Sequence, residues 1–202
     1  MDNNSDLLLI TKAIKLETKF GVLNVSYICG LDKEGIIVSG EKNFANPIPI
    51  RVQSSCLFSE SLLSLDCDCA SQLHSSLKII TLEGGILIYF YEEGRGAGLL
   101  NKIEAIRLQQ QHKIDTACAY RELGISADPR NYEMAALTIL QLIGNDYEVE
   151  LITNNPIKVR LLQEAGINIV KRRPLVLNKN SMVEQYLLEK SRILGHILED
   201  NV

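Results

Sequence analysis

The chain has 202 residues, 46% hydrophobic and 23% charged, with a formal net charge of −4, which is enough apolar content for a full core and argues against disorder. A mildly acidic balance suits neither a basic nucleic-acid-binding surface nor a membrane-surface anchor, although a few local arginines suffice for a small anion. No apolar run approaches transmembrane length, and the start, MDNNSDLLLITKAI, lacks the basic region and long apolar stretch of a signal peptide.

From Ile14 to Arg51 the alternating runs KLETKFG, VLNVSYICG, GIIVSG and PIPIRVQ are broken at Gly30, Gly40 and Pro47. They predict a small antiparallel sheet or partial barrel, with Cys29 as core on one strand. Next comes a cysteine-bearing segment, and Asp68 is placed to cap a helix with the apolar stripe Leu73, Leu77, Ile80. GGILIYFY (Gly84 to Tyr91) reads as a buried central strand, and EEGRGAG then opens the helix LLNKIEAIRLQQQ. A helical segment around Ala119 to Leu123 stops at Gly124, and the loop ISADPRN leads into the helix YEMAALTILQLIG. VELIT is a second buried strand, followed by NNP, the helix IKVRLLQEAG, the strand INIVKR and a closing helix VEQYLLEKSRILGHIL. This alternation predicts an α/β fold: a mixed sheet with flanking helices, preceded by a small N-terminal antiparallel β region. One domain is expected over 1–202, with a β-rich lobe at 14–55 and an α/β catalytic core at 56–198.

Three of the five cysteines, Cys56, Cys67 and Cys69, fall within RVQSSCLFSESLLSLDCDCASQ. Cys67 and Cys69 flank one residue and cannot bond each other without severe strain, but both can face one ion with Cys56 as a third thiolate. An odd cysteine count without a secretory signal fits a reducing cytoplasm, where clustered thiols favour metal over disulfide. Zinc on three protein ligands keeps a fourth position for water and lowers that water's pKa toward neutrality. The alternative is that the three are small buried hydrophobes.

Glu93 to Gly98 follows a predicted strand and precedes a helix. Its glycines let backbone N–H groups approach an anion, and Arg95 adds charge-assisted bonds to phosphate, unless the loop is only a turn. At a second strand-to-helix junction Asn155 suits an N-cap and Pro156 the first helical position. Lys158 in that first turn runs against the macrodipole; it is either a solvated lysine or a cation sharing an anion with the helix end. Asp128 and Arg130 form a surface pair of little worth, or else an acid–base group and a phosphate clamp. His74, His112 and His196 lie on helical segments with polar neighbours, and none is assigned to the metal.

Taken in order, RVQSSC, SLDCDCASQL, EEGRGAGLLNKI, LGISADPRNY, LITNNPIKV and EAGINIVKRRPL resemble the GTP cyclohydrolase II family, the first enzyme of riboflavin biosynthesis. The likeness runs from roughly Ile14 to Leu198 without a large insertion. It implies a cytoplasmic, homodimeric zinc enzyme that opens the imidazole ring of GTP at C8, uses Mg²⁺ with the triphosphate, and releases formate and pyrophosphate to leave a diaminopyrimidinone nucleotide. By the same resemblance, Cys56, Cys67 and Cys69 hold the zinc. Substrate contacts fall on Arg51, Val52, Gln53, Ser54, Ser55, Gln72, Glu93, Gly94, Arg95, Thr116, Thr153 and Lys158. Asp128 takes the place of the family's proton acceptor, and Arg130 that of an arginine assigned as nucleophile toward the α-phosphate. A guanidinium is protonated at ordinary pH, so an electrostatic clamp is an equal reading for Arg130.

Departures from the family pattern are also visible. Ser55 replaces an acidic residue before the first cysteine, and Gly96-Ala97-Gly98 stands where the family commonly reads Asn-Ile-Gly. Ile106 replaces a helical tyrosine, while Cys118 and Tyr120 replace a glutamate and an asparagine. They leave two alternatives open: a paralogue that stops at the formylated ring-opened nucleotide, and a zinc- and nucleotide-binding protein with little turnover.

Overall fold

The computed structural model describes residues 8–126 and 130–175, together with Ser191 and Gly195. Asp128, His196 and nearly all of the segment expected as the closing helix lie outside the described residues. The elements are β1 (Leu9–Ile10), β2 (Ile14–Thr18), β3 (Gly21–Gly30), β4 (Lys33–Ser39), β5 (Ile48–Ser54), α1 (Leu57–Glu60), α2 (Cys69–Glu83) and β6 (Ile86–Phe90). They continue with α3 (Gly98–His112), α4 (Thr116–Glu122), α5 (Glu133–Ile143), β7 (Val149–Ile152), α6 (Pro156–Glu164) and β8 (Ile169–Arg173).

All the strands join one eight-stranded sheet in the order β1-β3-β4-β6-β5-β7-β8, with β2 also pairing β3. The expected mixed sheet is therefore present. Its antiparallel part runs through β3, β4 and β6, with β1 and β2 both laid antiparallel on β3. Its parallel part is β6-β5-β7-β8. The two parts are continuous, because β4 pairs β6 from Gly35 opposite Phe90 to Ser39 opposite Ile86. At the first of these pairs a Cβ on Gly35 would sit 2.2 Å from the Tyr89 carbonyl oxygen, so only glycine lets the strands approach.

Period-two alternation divides the core between the two faces. On one face Ile28, Ile37, Ile50, Val52, Ile86, Ile88 and Phe90 pack with Met134, Ile139 and Ile143 of α5 and Leu162 of α6. On the other, Leu23, Val38 and Leu87 pack with Ile80, Leu73 and Leu77 of α2, which is the stripe read from the sequence. A small third cluster of Ala105, Ala119 and Tyr120, with Leu108 and Leu123, welds α3 to α4.

Strand β5 runs to β6 on one side, and the chain then crosses to β7 on the other. The sheet thus reverses direction between β5 and β7. In open α/β sheets the crevice beyond the carboxyl ends of such strands is where ligands bind.

Candidate active site

Backbone pairing between β5 and β7 reaches from Ile48 opposite Val149 to Ile50 opposite Leu151. Past that point buried cations take over the bridging. Arg51 Nη1 donates to the Ile152 carbonyl at 3.0 Å, and Lys158 Nζ donates to the Val52 carbonyl at 2.7 Å. Alternation along β5 places Arg51 and Gln53 on the α2 side, opposite to Ile50 and Val52.

Arg51 is held by its own neighbours. Nε and Nη2 donate to Gln53 Oε1 at 3.0 and 2.8 Å, and Nη2 also donates to Gln72 Oε1 at 2.5 Å. Gln72 passes the chain on, donating from Nε2 to Asp68 Oδ2 at 2.6 Å. Asp68 does occupy the N-cap position of α2, but its carboxylate makes no cap bond to the helix. The sequence expectation is corrected there: the carboxylate is buried and turned to Gln72, and its charge supports the Arg51 guanidinium against the desolvation that pulls it down.

Gln53 carries the network to the thiols. Its Nε2 donates to the Cys69 carbonyl and to Glu60 Oε1, both at 3.3 Å. Glu60 Oε2 accepts from the Cys56 backbone N–H at 3.3 Å and from the Tyr89 hydroxyl. Burial and that carboxylate acceptor push the Tyr89 phenol up, so it stays a donor at any ordinary pH. Ser59 Oγ accepts from Ala70 N at 3.0 Å and ties α1 to the start of α2.

Together these bonds bring Cys56, Cys67 and Cys69 to one point, with the three Sγ atoms within 4.8 Å of one another. Cys56 Sγ and Cys67 Sγ are 3.7 Å apart. Four-coordinate zinc, with Zn–S near 2.3 Å, sets its thiolates about 3.8 Å apart, so the donor set and its spacing fit that ion. Among the described residues no fourth cysteine, histidine or carboxylate joins the group, which is the open arrangement of a catalytic centre rather than the closed one of a structural site. The neighbouring thiols hydrogen-bond Cys56 and hold its thiol well below the usual range, against its burial, with Lys102 adding to the effect. Cys67, bonded to Cys56, is pushed up correspondingly.

Beyond β6 the Gly-rich segment forms one 3₁₀ turn, Gly94–Gly96, before α3 begins at Gly98. Gly94 has φ of 59°, and a Cβ there would meet Lys102 Cβ and Tyr120 Oη at 3.1 Å. Arg95 is also left-handed, at φ 59° and ψ 30°, a conformation that costs a side-chain-bearing residue about 1–2 kcal/mol. Tyr120 Oη donates to the Gly94 carbonyl at 3.1 Å and supports the turn from α4. Arg130 lies against the same turn, its Cγ 3.5 Å from where a Gly96 Cβ would be, and its charge is felt by Arg51 and Tyr120.

Asn155 caps α6 as expected, accepting from Ile157 N at 2.9 Å and Lys158 N at 3.4 Å with Pro156 behind it. Lys158 is buried; besides its bond to Val52 O, its ammonium sits over the Tyr132 ring at 5.3 Å. That bond from α6 to β5 accounts for a lysine in a first helical turn. Thr153 is buried between the Asn155 N–H, which its Oγ1 accepts at 3.0 Å, and Arg172 Nη1, which donates to its carbonyl at 3.2 Å.

Of the other expected substrate residues, Ser54 Oγ donates to Glu92 Oε2 at 3.5 Å and Ser55 N to the Phe90 carbonyl at 2.9 Å, both at the same sheet edge. Thr116 opens α4, and its hydroxyl accepts from Gln109 Nε2 at 3.1 Å.

Several residues at the site carried no sequence signal. Lys102 Nζ lies 3.4 Å from Cys56 Sγ and 2.8 Å from Glu93 Oε2. Burial would lower its pKa, but Glu93 and the Cys56 sulfur outweigh burial and raise it. Glu60, Tyr89 and Lys33 are the others. Lys33 pairs with Glu92 Oε1 at 2.7 Å and donates to the Asn131 carbonyl at 3.1 Å, fastening the stretch after Arg130 to the sheet. Only the spacing of Lys102 from the Gly-rich loop, one turn into α3, could have hinted at any of them.

By layout, then, the chain stands with α/β enzymes that act on a small ligand at the switch point of the sheet. The comparisons narrow the class. The family model for GTP cyclohydrolase II matches residues 11–174. The GTP cyclohydrolase-2 of Salmonella typhimurium is 48% identical over 163 residues, covering 80% of this chain and 82% of that protein. Those of Cronobacter sakazakii (46% over 166 residues, 82% and 83% covered) and Buchnera aphidicola (45% over 165 residues, 81% and 84% covered) are similar to it at the same level. The chain belongs to the GTP cyclohydrolase II family and is an enzyme, a hydrolase of that type. Among the described residues no helix is long and apolar enough to cross a membrane.

Proposed function

We propose that this chain hydrolyses GTP at a zinc ion held by Cys56, Cys67 and Cys69, opening the imidazole ring at C8 and releasing formate and pyrophosphate as a step of riboflavin biosynthesis. The observation that carries the reading is the three-thiol cluster with zinc-like sulfur spacing beside a left-handed Arg95 turn, in a chain of this family. When bound, the metal supplies Lewis acidity and a coordinated water acidic enough to act near neutrality.

The protein's own groups do the rest. Gln53 and Glu60 fix the Cys69 carbonyl and the Cys56 N–H, so the thiols keep their spacing as substrate enters. Arg95, Lys158 and Arg130 are the cations at the carboxyl ends of β5, β6 and β7, and we assign them to the triphosphate, whose remaining charge Mg²⁺ would offset. Arg130 acts there as a clamp, and Asp128 as the proton acceptor. Val52, Ser54, Ser55, Glu93, Gly94, Thr116 and Thr153 belong to the nucleotide contacts, and Arg51 and Gln72 support them from within. Five unbridged cysteines suit the reducing cytoplasm. Exposed Leu62, Leu63 and Leu65 offer apolar surface that a homodimer would cover.

One observation favours a second reading. Ile106 lies one turn beyond Lys102 on the same side of α3, at the position where the family resemblance expects a tyrosine, and it can neither give nor take a proton. Slow deformylation would let the formylated nucleotide accumulate.

Mass spectrometry of products from purified protein and GTP, sampled from the first turnover, decides. Formate and the diaminopyrimidinone nucleotide rising together support the full reaction, and an early formylated species supports the second reading. No ring opening, or equal affinity for guanosine and GTP, overturns the proposal.

A further inference from the structure

We propose that Lys102 is a positioning residue of the metal centre, whose ammonium donates a hydrogen bond to the Cys56 thiolate and so sets the electron-donating strength of that ligand. The inference rests on the zinc reading above. An ammonium has three donors and no acceptor, and all three directions are used. One N–H points at Cys56 Sγ (3.4 Å), one at Glu93 Oε2 (2.8 Å), and the ring of Phe58 lies 4.5 Å from Nζ. The side chains of Lys102 and Glu93 are 15% and 14% exposed, so the pair is shielded from most of the screening that weakens surface ion pairs.

The contact is closed on itself. The second oxygen of Glu93 accepts from the backbone N–H of Leu57, the residue after Cys56. Cys56, Leu57, Glu93 and Lys102 therefore form a ring joining the first thiol to the Gly-rich turn. A Lys–Glu pair on its own is commonly energetically neutral. Here the ammonium is turned onto a sulfur, where its charge has a definite use. Three thiolates on a divalent ion leave a net negative charge, and the ammonium, though shared with Glu93, offsets part of it at the sulfur it touches. An N–H···S bond also draws electron density from that sulfur, leaving the ion a stronger Lewis acid. Partners of this kind tune ligand basicity and metal affinity without binding the metal themselves.

The test uses the full-length protein loaded with zinc or with cobalt, comparing wild type with Lys102→Met, Lys102→Gln and Lys102→Arg. Metal per chain, zinc affinity against a chromophoric chelator, and the thiolate-to-cobalt charge-transfer band are read, with circular dichroism as the check on folding. Lys102→Met is expected to keep one metal per chain, to lose about 10–100-fold in zinc affinity, and to move the band to lower energy as the sulfur regains its electron density. Its kcat should fall more than KM for GTP rises. Lys102→Arg should return the band toward wild type, and Lys102→Gln, an uncharged donor, should fall between. Should the Met variant not fold, the Gln variant decides on the same band. A wild type that takes up neither metal overturns the zinc reading itself. A metal-loaded wild type with band and affinity unchanged in the Met or Gln variant overturns the role of Lys102 alone.

Discussion

On β2, Ile14 and Leu16 lie in water and Lys15 pairs with Glu41 at the surface, while Arg51 and Gln53 on β5, Thr153 just past β7 and Lys158 on α6 are almost wholly buried. The outer strand of the antiparallel half is open to water on both faces, and its charges stay there. The parallel half buries polar groups that would each cost free energy if left unbonded. It meets that cost with an unbroken chain running from the Ile152 carbonyl through Arg51, Gln53 and Glu60 to Cys56. Folding alone gives no reason to concentrate charge at one edge of the sheet. A ligand and a metal do, and the carboxyl ends of β5, β6 and β7 are where both can be reached from three strands at once.

The largest effect should come from Cys67→Ser. Two thiols cannot hold the proposed ion in its open geometry, so zinc per chain and formate release should both drop to background while circular dichroism stays native. Wild-type zinc content would take this cysteine out of the centre. Lys158→Met comes next. It leaves the buried Val52 carbonyl without its 2.7 Å donor and should cost about 1.5–3 kcal/mol, the range for a hydrogen bond from a charged group, with weaker GTP binding beside it. The matched change in the antiparallel half, Lys15→Met, removes an ion pair whose side chains are 71% and 54% exposed, worth at most about 1 kcal/mol. Denaturant titrations giving the two lysines equal costs would erase the division between the halves.

What the sequence revealed follows the same line. Periodic signals survived well: the α2 stripe of Leu73, Leu77 and Ile80 is core, GGILIYFY is an interior strand, and Asn155-Pro156 opens α6. These are local patterns fixed by backbone geometry. The thiol trio was visible as well, because C-x-C with an upstream cysteine constrains space directly. The role of Asp68 was not visible, since capping is a local rule and the carboxylate instead answers to Gln72 and Arg51, partners set by the fold of the whole sheet. Lys102 and Tyr89 were hidden for the same reason: Lys102 meets Cys56 across 46 residues of chain and Tyr89 meets Glu60 across 29, and no spacing rule links a lysine in a helix to a cysteine after a strand. The continuity of β4 with β6 likewise depends on Gly35, which in sequence looks like one more turn glycine.

The smallest effect, and the one that best tests whether the antiparallel half is passive, concerns Tyr27 on β3. Its hydroxyl donates to Glu34 Oε2 at 2.7 Å. The carboxylate acceptor, joined by local desolvation and its negative charge, pushes the phenol up to about 12. An unfolded tyrosine titrates near 10, so the folded value is the higher of the two. The bond's contribution to stability is therefore complete below about pH 10, shrinks as the pH rises, and is gone once the pH passes about 12. Tyr27→Phe removes it at every pH. The variant should be slightly less stable than wild type at neutral pH, and the gap should close through that alkaline window, while an ultraviolet titration should lose one phenol that ionises late, at about 12. The site is open to water, so the difference is small, and formate release and zinc content should match wild type. A fall in formate release on losing this one hydroxyl would mean that the antiparallel strands steer the chemistry, through the β4–β6 seam that leads to Glu92 and Glu93.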